Sequence, residues 1–157
     1  MGAFAAKDPD FEQRVRDSFA RQRFMDTLGI TMDTVEPGVC VLSMDFHPDL
    51  CQQHGYVHAG ATTALADSAA GYAAYSLMPP GSSVLTVEYK LNLLAPAAGR
   101  RFVARAVVEK PGRTLSVVRS EVSAVDHDGR ERAVALMQAT MMCLADTADA
   151  PATAGPA

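Results

Sequence analysis

One acidic side chain stands alone in the middle of this chain. Asp67 is the only residue between Asp49 and Glu88 that carries a formal charge at neutral pH, and its neighbours are mostly Ala, Gly, Leu, Tyr and small hydroxyl residues. Burying an unpaired carboxylate is costly unless its pKa rises or hydrogen-bond donors meet it. The pattern therefore leaves two interpretations open: a reactive acid, or an Asp on the one wet side of a helix.

The residues around Asp67 predict a helix that begins near His58 and ends before Pro79. The stretch is rich in Ala and apolar almost all the way round, which is typical of a helix covered by other elements. Gly55, His58 and Gly60 lie where the preceding loop turns into this helix. Free backbone N–H groups and the positive end of the helix dipole lie there, so the turn can polarise a carbonyl or hold an anion.

The spacing of Gly60 and Asp67 predicts a site shared between two chains. The two residues are seven positions apart, so they lie on one face of the helix but about 10 Å apart along its axis, at 1.5 Å per residue. They cannot act on the same carbon within one chain. A second, antiparallel copy of the helix would bring Gly60 of one chain to Asp67 of the other.

The remaining elements predict an α+β fold in which one antiparallel sheet wraps around the central helix. An amphipathic helix is expected over residues 9–28, with Gly29 as its stop, followed by a hairpin of two strands up to Phe46. Four strands follow the central helix, and the last is apolar on both faces and is therefore expected inside the sheet. In the first of the four, alternation places Thr86, Glu88, Lys90 and Asn92 on one wet or ligand-facing side.

Composition limits the remaining possibilities. The chain has 157 residues, a net charge of −4 and no basic run, which argues against a nucleic-acid groove. No apolar run is long enough to span a bilayer, the first residues do not resemble a secretion signal, and three cysteines lack a CxxC spacing, so we expect no membrane partner and a cytoplasmic location. The predicted organisation is a flexible N-terminus at 1–8, one domain at 9–144 and a disordered tail at 145–157.

The stretch from Gln52 through Gly55, His58, Ala59 and Gly60 to Asp67 resembles the signature of hotdog-fold acyl-CoA thioesterases of the phenylacetate-degradation (PaaI-like) type. That signature reads Asn or Gln, two residues, Gly, two residues, His-Gly-Gly, then an acid in the helix. The resemblance spans roughly residues 11–144. It implies a hotdog fold and a homodimer with shared sites, two of which pair into a homotetramer. It also implies hydrolysis of an acyl-CoA or aryl-CoA thioester with no cofactor.

The resemblance also implies catalytic roles. Asp67 resembles the carboxylate that acts as general base or nucleophile, and Gly60 the residue whose backbone N–H polarises the thioester carbonyl. Gln52 resembles the amide that positions the water or the carboxylate, and Thr86 lies where the family often has a hydroxyl near the attacking water. Such N–H groups stabilise the oxyanion by about 3–4 kcal/mol, and CoA thiolate leaves readily.

Substrate-binding roles are implied for His58, Gly55, Ala59 and Arg113. His58 is expected to be neutral and to contact the loop backbone or the thioester. Ala59 replaces the first glycine of the His-Gly-Gly pair, and its methyl group narrows the acyl pocket or tilts the turn. Arg113 is the candidate for the CoA phosphates, although the arginines on the later strands also fit a solvated sheet edge paired with Glu109 and Glu121.

Other constellations are weaker. His47, Cys51, His54 and His58 are spaced as in a metal site, but Pro48 and Gly55 break that helix, so we predict no metal ligands. Cys51 beside His54 lacks an orienting residue for a thiol nucleophile. Two functional alternatives stay open: a hydratase or dehydratase acting on acyl thioesters, and a non-catalytic acyl-CoA-binding module.

Overall fold

The structure is a computed structural model that describes residues 4–150 of the chain. Two short helices, α1 and α2, precede a two-stranded hairpin, a long helix α3 and four further strands. The elements are α1 Phe11–Phe19, α2 Arg23–Leu28, β1 Ile30–Glu36, β2 Val39–Asp45, α3 Ala59–Tyr75, β3 Ser83–Leu93, β4 Arg101–Lys110, β5 Leu115–Val125 and β6 Glu131–Leu144, with a 3-10 turn at Pro48–Leu50. The predicted α+β architecture, an antiparallel sheet around one long helix, is confirmed.

All six strands form a single antiparallel sheet in the order β1-β2-β4-β5-β6-β3. β6 lies between β5 and β3, so the strand that is apolar on both faces is an inner strand, as expected. The two edges of the sheet are β1 and β3. Four large apolar side chains of β3 are exposed, namely Leu85, Val87, Tyr89 and Leu93.

Helix α3 packs closely against the sheet because it presents mostly alanine to it. Ala66, Ala69, Ala70 and Ala73 are fully buried, and Leu65 is the large aliphatic side chain among them. Methyl groups let the helix approach the strands closely, and dense contact of this kind compensates for the small side chains. What stays accessible on α3 is a stripe on one side, which includes Gly60, Thr63, Ala64, Asp67, Ser68 and Gly71.

The single N-terminal helix predicted over residues 9–28 is wrong, because the chain forms two helices. The break falls at residues 20–22, while Gly29 ends α2 in the left-handed conformation, as its expected role as a stop requires. Val15 and Met25 are both buried. In one straight helix the two side chains would lie about 80° apart, at about 100° per residue, which is within one apolar face, so their burial alone does not reveal the break.

Arg14 attaches α1 to the C-terminal end of α3. Its guanidinium pairs with Asp8 at 2.7 Å, donates to the backbone oxygen of Met78 at 2.9 Å and lies 4.2 Å from the centre of the Tyr75 ring. A cation at carbonyl oxygens beyond a helix C-terminus is favourable because these groups have no partner within the helix. This clamp fixes the N-terminal helices beside α3.

Strand β3 contains a bulge, so the predicted alternation of its side chains between the two faces of the sheet is wrong at Thr86. Thr86 lies opposite Met141 and Glu88 opposite Thr140, so Val87 is the extra residue. Residues directly opposite each other point to the same face, so Thr86 faces α3 with the buried Met141, whereas Glu88 faces outward and accepts a hydrogen bond from Thr140. Thr86 therefore does not share a face with Glu88, Lys90 and Asn92.

The predicted boundaries at residues 9 and 144 stay a prediction. Residues 1–3 and 151–157, which belong to the predicted flexible ends, lie outside the described residues. Within the described part, Asp8 is buried and Asp149 accepts a hydrogen bond from Arg21 at 2.6 Å. In this same part of the chain, no helix has the length and apolar character needed to cross a membrane.

Candidate active site

Asp67 and Thr86, two predicted catalytic residues, meet in the structure. The Thr86 hydroxyl donates to Oδ1 of Asp67 over 2.8 Å. Partial burial raises the pKa of Asp67 above its ordinary value, and the Thr86 hydrogen bond opposes this by stabilising the charged form. The bulge at Val87 aims the hydroxyl at the helix. The pair supplies a carboxylate that is both accessible and more basic than an ordinary one.

A cleft of 250 Å³ opens beside this pair. Its floor is the accessible stripe of α3, with Ala64, Ser68 and Gly71 flanking the acid, and its far wall is Phe24 and Met25 of α2. Sequence reasoning did not find the contribution of α2. No local signal marks this contribution, because helix propensity is good through residues 20–22, where α1 and α2 separate.

Helix α2 is held over the cleft by a polar contact with α3. The Gln22 side chain donates to the Tyr72 hydroxyl at 2.9 Å, and Ser18 lies 3.3 Å from the same oxygen. Tyr72 is buried, and burial raises the pKa of its phenol to about 12. The phenol therefore stays neutral at physiological pH and serves as an anchor for the cleft wall.

The N-terminus of α3 forms a second constellation, centred on His58 and Gly60. His58 is the N-cap of the helix, and its Nδ1 accepts the backbone N–H of Gly60 over 2.8 Å. The neutral imidazole predicted for His58 stays a prediction. A Cβ at Gly60 would lie 3.0 Å from this nitrogen, so glycine leaves the room that the cap requires.

Gln52 and Gly55 belong to the loop that leads into this cap. The Gly55 N–H donates to the Gln52 backbone oxygen, and the His54 N–H donates to the Gln52 side-chain oxygen in a short contact. Gly55 has a φ of +82°, a left-handed conformation that favours glycine. The loop is fixed to the rest of the protein by the N–H groups of Val57 and His58, which reach Ala97 and Leu50.

An open groove of 580 Å³ runs along this loop and the segment after β3. Gln52, His58 and Ala59 line it together with apolar side chains such as Tyr56 and Leu93. Of the described residues, none lines both this groove and the cleft beside Asp67. One chain thus carries two separate groups of candidate residues, an acid with its hydroxyl and a helix N-terminus with its loop, at different places on α3.

Arg113 lies apart from both groups of candidate residues, beside a small cavity at the C-terminal end of α3 that Leu77, Met78 and Cys143 also line. Its predicted contact with CoA phosphates stays a prediction. Two other arginines on the sheet form ion pairs, Arg119 with Glu109 at 2.8 Å and Arg105 with Glu131 at 2.7 Å. The pair with Glu109 is the one expected if these arginines belong to a solvated sheet edge.

The geometry does not support the two weaker alternatives, a metal site and a thiol nucleophile at Cys51. Over residues 4–150, no three His, Cys, Asp or Glu side chains come together as a metal site. Cys51 contacts the His47 backbone oxygen at 3.7 Å, and His47 pairs loosely with Asp49. These contacts stabilise the turn at Pro48–Leu50.

The fold, one antiparallel sheet around a long central helix, is that of a hotdog-fold hydrolase, and comparison with known proteins agrees. The sequence model of the protein family described as the Thioesterase superfamily matches residues 54–130. A thioesterase family protein from Silicibacter pomeroyi is 53% identical in sequence, with a TM-score of 0.84 over 86% of this chain and 98% of that one. The chain therefore belongs to the thioesterase superfamily.

Two further relatives are more distant. The PaaI protein from the phenylacetic acid degradation operon of E. coli shares the fold, with a TM-score of 0.78 and 23% identity over 90% of this chain and 99% of that one. The 1,4-dihydroxy-2-naphthoyl-CoA hydrolase of Listeria monocytogenes is 29% identical over 92 residues, which are 59% of this chain and 75% of that protein.

Proposed function

We propose that the protein hydrolyses acyl-CoA or aryl-CoA thioesters to the free acid and CoA, in the cytoplasm, at sites shared between two chains. The observation that carries the proposal is the part-buried Asp67, hydrogen-bonded to Thr86 and open to a cleft. The Listeria relative named above is a hydrolase of an aryl-CoA, which supports the choice of thioester.

In the proposed reaction Asp67 removes a proton from water while the water oxygen attacks the thioester carbon. A raised pKa makes the carboxylate a better base near neutral pH. The tetrahedral oxyanion collapses, the carbon–sulfur bond breaks, and the CoA thiolate leaves and takes up the proton that Asp67 accepted. Direct attack by the carboxylate, followed by hydrolysis of the anhydride, uses the same geometry.

The oxyanion needs a donor, and we assign it to the N-terminus of α3 in the partner chain. In the structure the Gly60 N–H donates to Nδ1 of His58. The His58 ring is exposed, so it can turn away and yield this N–H to the carbonyl oxygen. A charged oxyanion accepts a stronger hydrogen bond than a neutral ring nitrogen, so the exchange favours the transition state.

The position of β3 at the edge of the sheet supports the proposal of a shared site. An edge strand offers unpaired backbone groups, and exposed apolar residues such as Leu85 and Val87 favour an occupied surface. Two antiparallel β3 strands would form one continuous sheet with both α3 helices on the same side and antiparallel. This arrangement suits the approach of Asp67 to the partner's helix N-terminus. A second pairing into a dimer of dimers is part of the proposal.

Release of free thiol from short, long and aromatic acyl-CoAs tests the activity. We expect turnover of at least one class, and we expect the Asp67→Asn variant to lose about 100-fold or more, the usual contribution of a general base. Unchanged turnover in Asp67→Asn would contradict the mechanism. Tight CoA binding without thiol release would instead favour a binding module, and loss of crotonyl-CoA absorbance without thiol release a hydratase.

A further inference from the structure

Gly71 is a glycine in the interior of α3 for which the chain itself shows no packing reason. Glycine destabilises a helix interior relative to alanine, because it loses more backbone freedom on folding. Gly71 does not have a positive φ, and a Cβ built there would meet no atom within 4 Å. Neither backbone conformation nor crowding by the surrounding described residues therefore requires the glycine.

The space that Gly71 leaves empty belongs to the cleft beside Asp67. Gly71 follows Asp67 by four residues, so both lie on the accessible stripe of α3, one turn apart. Phe24 and Met25 of α2 form the opposite wall. A side chain at position 71 would point into this space and fill part of it.

We propose that the space between Gly71 and Phe24 holds the acyl group of the substrate, and that Gly71 sets the selectivity of the enzyme for a compact aromatic acyl group. This inference rests on the proposed thioesterase function. With the thioester carbon at Asp67, the long and charged CoA must lead to solvent, whereas the acyl group is the part that a cleft can enclose.

The dimensions of the cleft limit the acyl group. Its volume of 250 Å³ is at the small end for a ligand pocket, which suits a substituted aromatic ring better than a long fatty chain. On the side of α2 the cleft is lined by the buried Met25 and by Gln22, which is held in place by its hydrogen bond to Tyr72. Phe24, in the wall opposite Gly71, is 59% exposed, so its ring is free to contact an aromatic substrate.

The test compares kcat/KM for benzoyl-CoA and acetyl-CoA in the wild type, Gly71→Ala and Gly71→Val. One excess methyl or methylene group in a filled pocket changes selectivity about 10- to 100-fold, so the benzoyl-to-acetyl ratio is expected to fall by about that factor in Gly71→Ala and further in Gly71→Val. The melting temperature of Gly71→Ala is expected to rise by about 2 °C, since alanine favours the helix.

Two further variants separate acyl selectivity from a merely structural role. Phe24→Ala removes the opposite wall, so the double variant with Gly71→Ala is expected to regain part of the benzoyl-to-acetyl ratio. Thr27→Ala, at an exposed position of α2 outside the cleft lining, should leave the ratio unchanged. The proposal would be overturned if Gly71→Ala lowered kcat/KM equally for both substrates or for neither. A change in the oligomeric state of Gly71→Ala on size-exclusion chromatography would also overturn it.

A binding measurement distinguishes failure of this inference from failure of the proposed function. Calorimetric titration with a non-hydrolysable phenacyl-CoA thioether reports the pocket without turnover. Weaker binding of the thioether, but not of free CoA, in Gly71→Ala supports the pocket even if no thioester is cleaved. Equal binding by the wild type and Gly71→Ala would reject the pocket, whatever the wild type hydrolyses.

Discussion

The hydrogen bond from Thr86 to Asp67 gives the sharpest prediction about chemistry. Thr86→Val keeps the shape of the side chain but removes the hydroxyl that lies 2.8 Å from Oδ1. Hydrogen bonds to charged groups contribute about 1.5–3 kcal/mol, and the accessible position of this pair favours the lower end of that range. About 1.5 kcal/mol corresponds to about a tenfold change in rate where the charged form of Asp67 limits the reaction.

The sign of the effect follows from the direction of the pKa. The hydroxyl stabilises the carboxylate and lowers its pKa, so its removal raises the pKa of Asp67 beyond the value that burial already elevates. The reaction requires the deprotonated acid. The acid limb of the profile of kcat/KM against pH is therefore expected to move to higher pH, with about a tenfold loss on the acid side and a smaller loss on the alkaline side.

The assay is thiol release across the pH range, with two controls. Thr86→Ser restores a hydroxyl and should restore the acid limb. Thr140→Val removes a comparable hydrogen bond, at 3.1 Å to Glu88 on the outer face of the sheet, and should leave the profile unchanged. The same fractional loss at every pH would refute the reasoning, because it would place Thr86 on the substrate rather than on the acid.

Three further predictions concern stability and assembly. Arg14→Ala leaves the buried Asp8 carboxylate unpaired, so the free energy of unfolding in urea should fall by about 3 kcal/mol, whereas a fall below about 1 kcal/mol would contradict the clamp. Val87→Asp places a charge on the β3 edge and should shift the molar mass from light scattering toward that of the monomer. A molar mass that stays at the dimer value would contradict this prediction. The free energy of unfolding of Asp67→Asn should equal that of the wild type at acid pH and exceed it near neutral pH. The reason is that the raised pKa of Asp67 destabilises the folded wild type as the pH rises through that pKa. A lower free energy of unfolding for Asp67→Asn near neutral pH would mean that the acid is stabilised as an anion.

The sequence predicted the sheet and the central helix because their signals are local. Alternation marks the strands, and Pro79 and the Ala-rich run bound the helix that spans Ala59–Tyr75. The acid and the helix N-terminus were found for the same reason. Asp67 is isolated in charge, and the glycines at 55 and 60 mark a turn into a helix.

Two features could not be predicted because they depend on tertiary contacts. The bulge at Val87 reverses the side-chain alternation of β3, and nothing in its local sequence marks it, since both phases are compatible with alternating apolar residues. The break between α1 and α2 is similar, because helix propensity is good through residues 20–22 and no residue there is a helix breaker. These two features build the cleft: the bulge aims Thr86 at Asp67, and the break places α2 over it.

The central claim, one active site built from two chains, is tested most directly by mixing two inactive variants. Asp67→Asn removes the acid, and Gly60→Val, at an exposed position without a positive φ, blocks the helix N-terminus. A mixed dimer carries both changes in one shared site and neither in the other. Random pairing of equal amounts should therefore restore about a quarter of the wild-type thiol release. Activity of the mixture no higher than that of the separate variants, with mixed dimers present by mass spectrometry, would contradict the account.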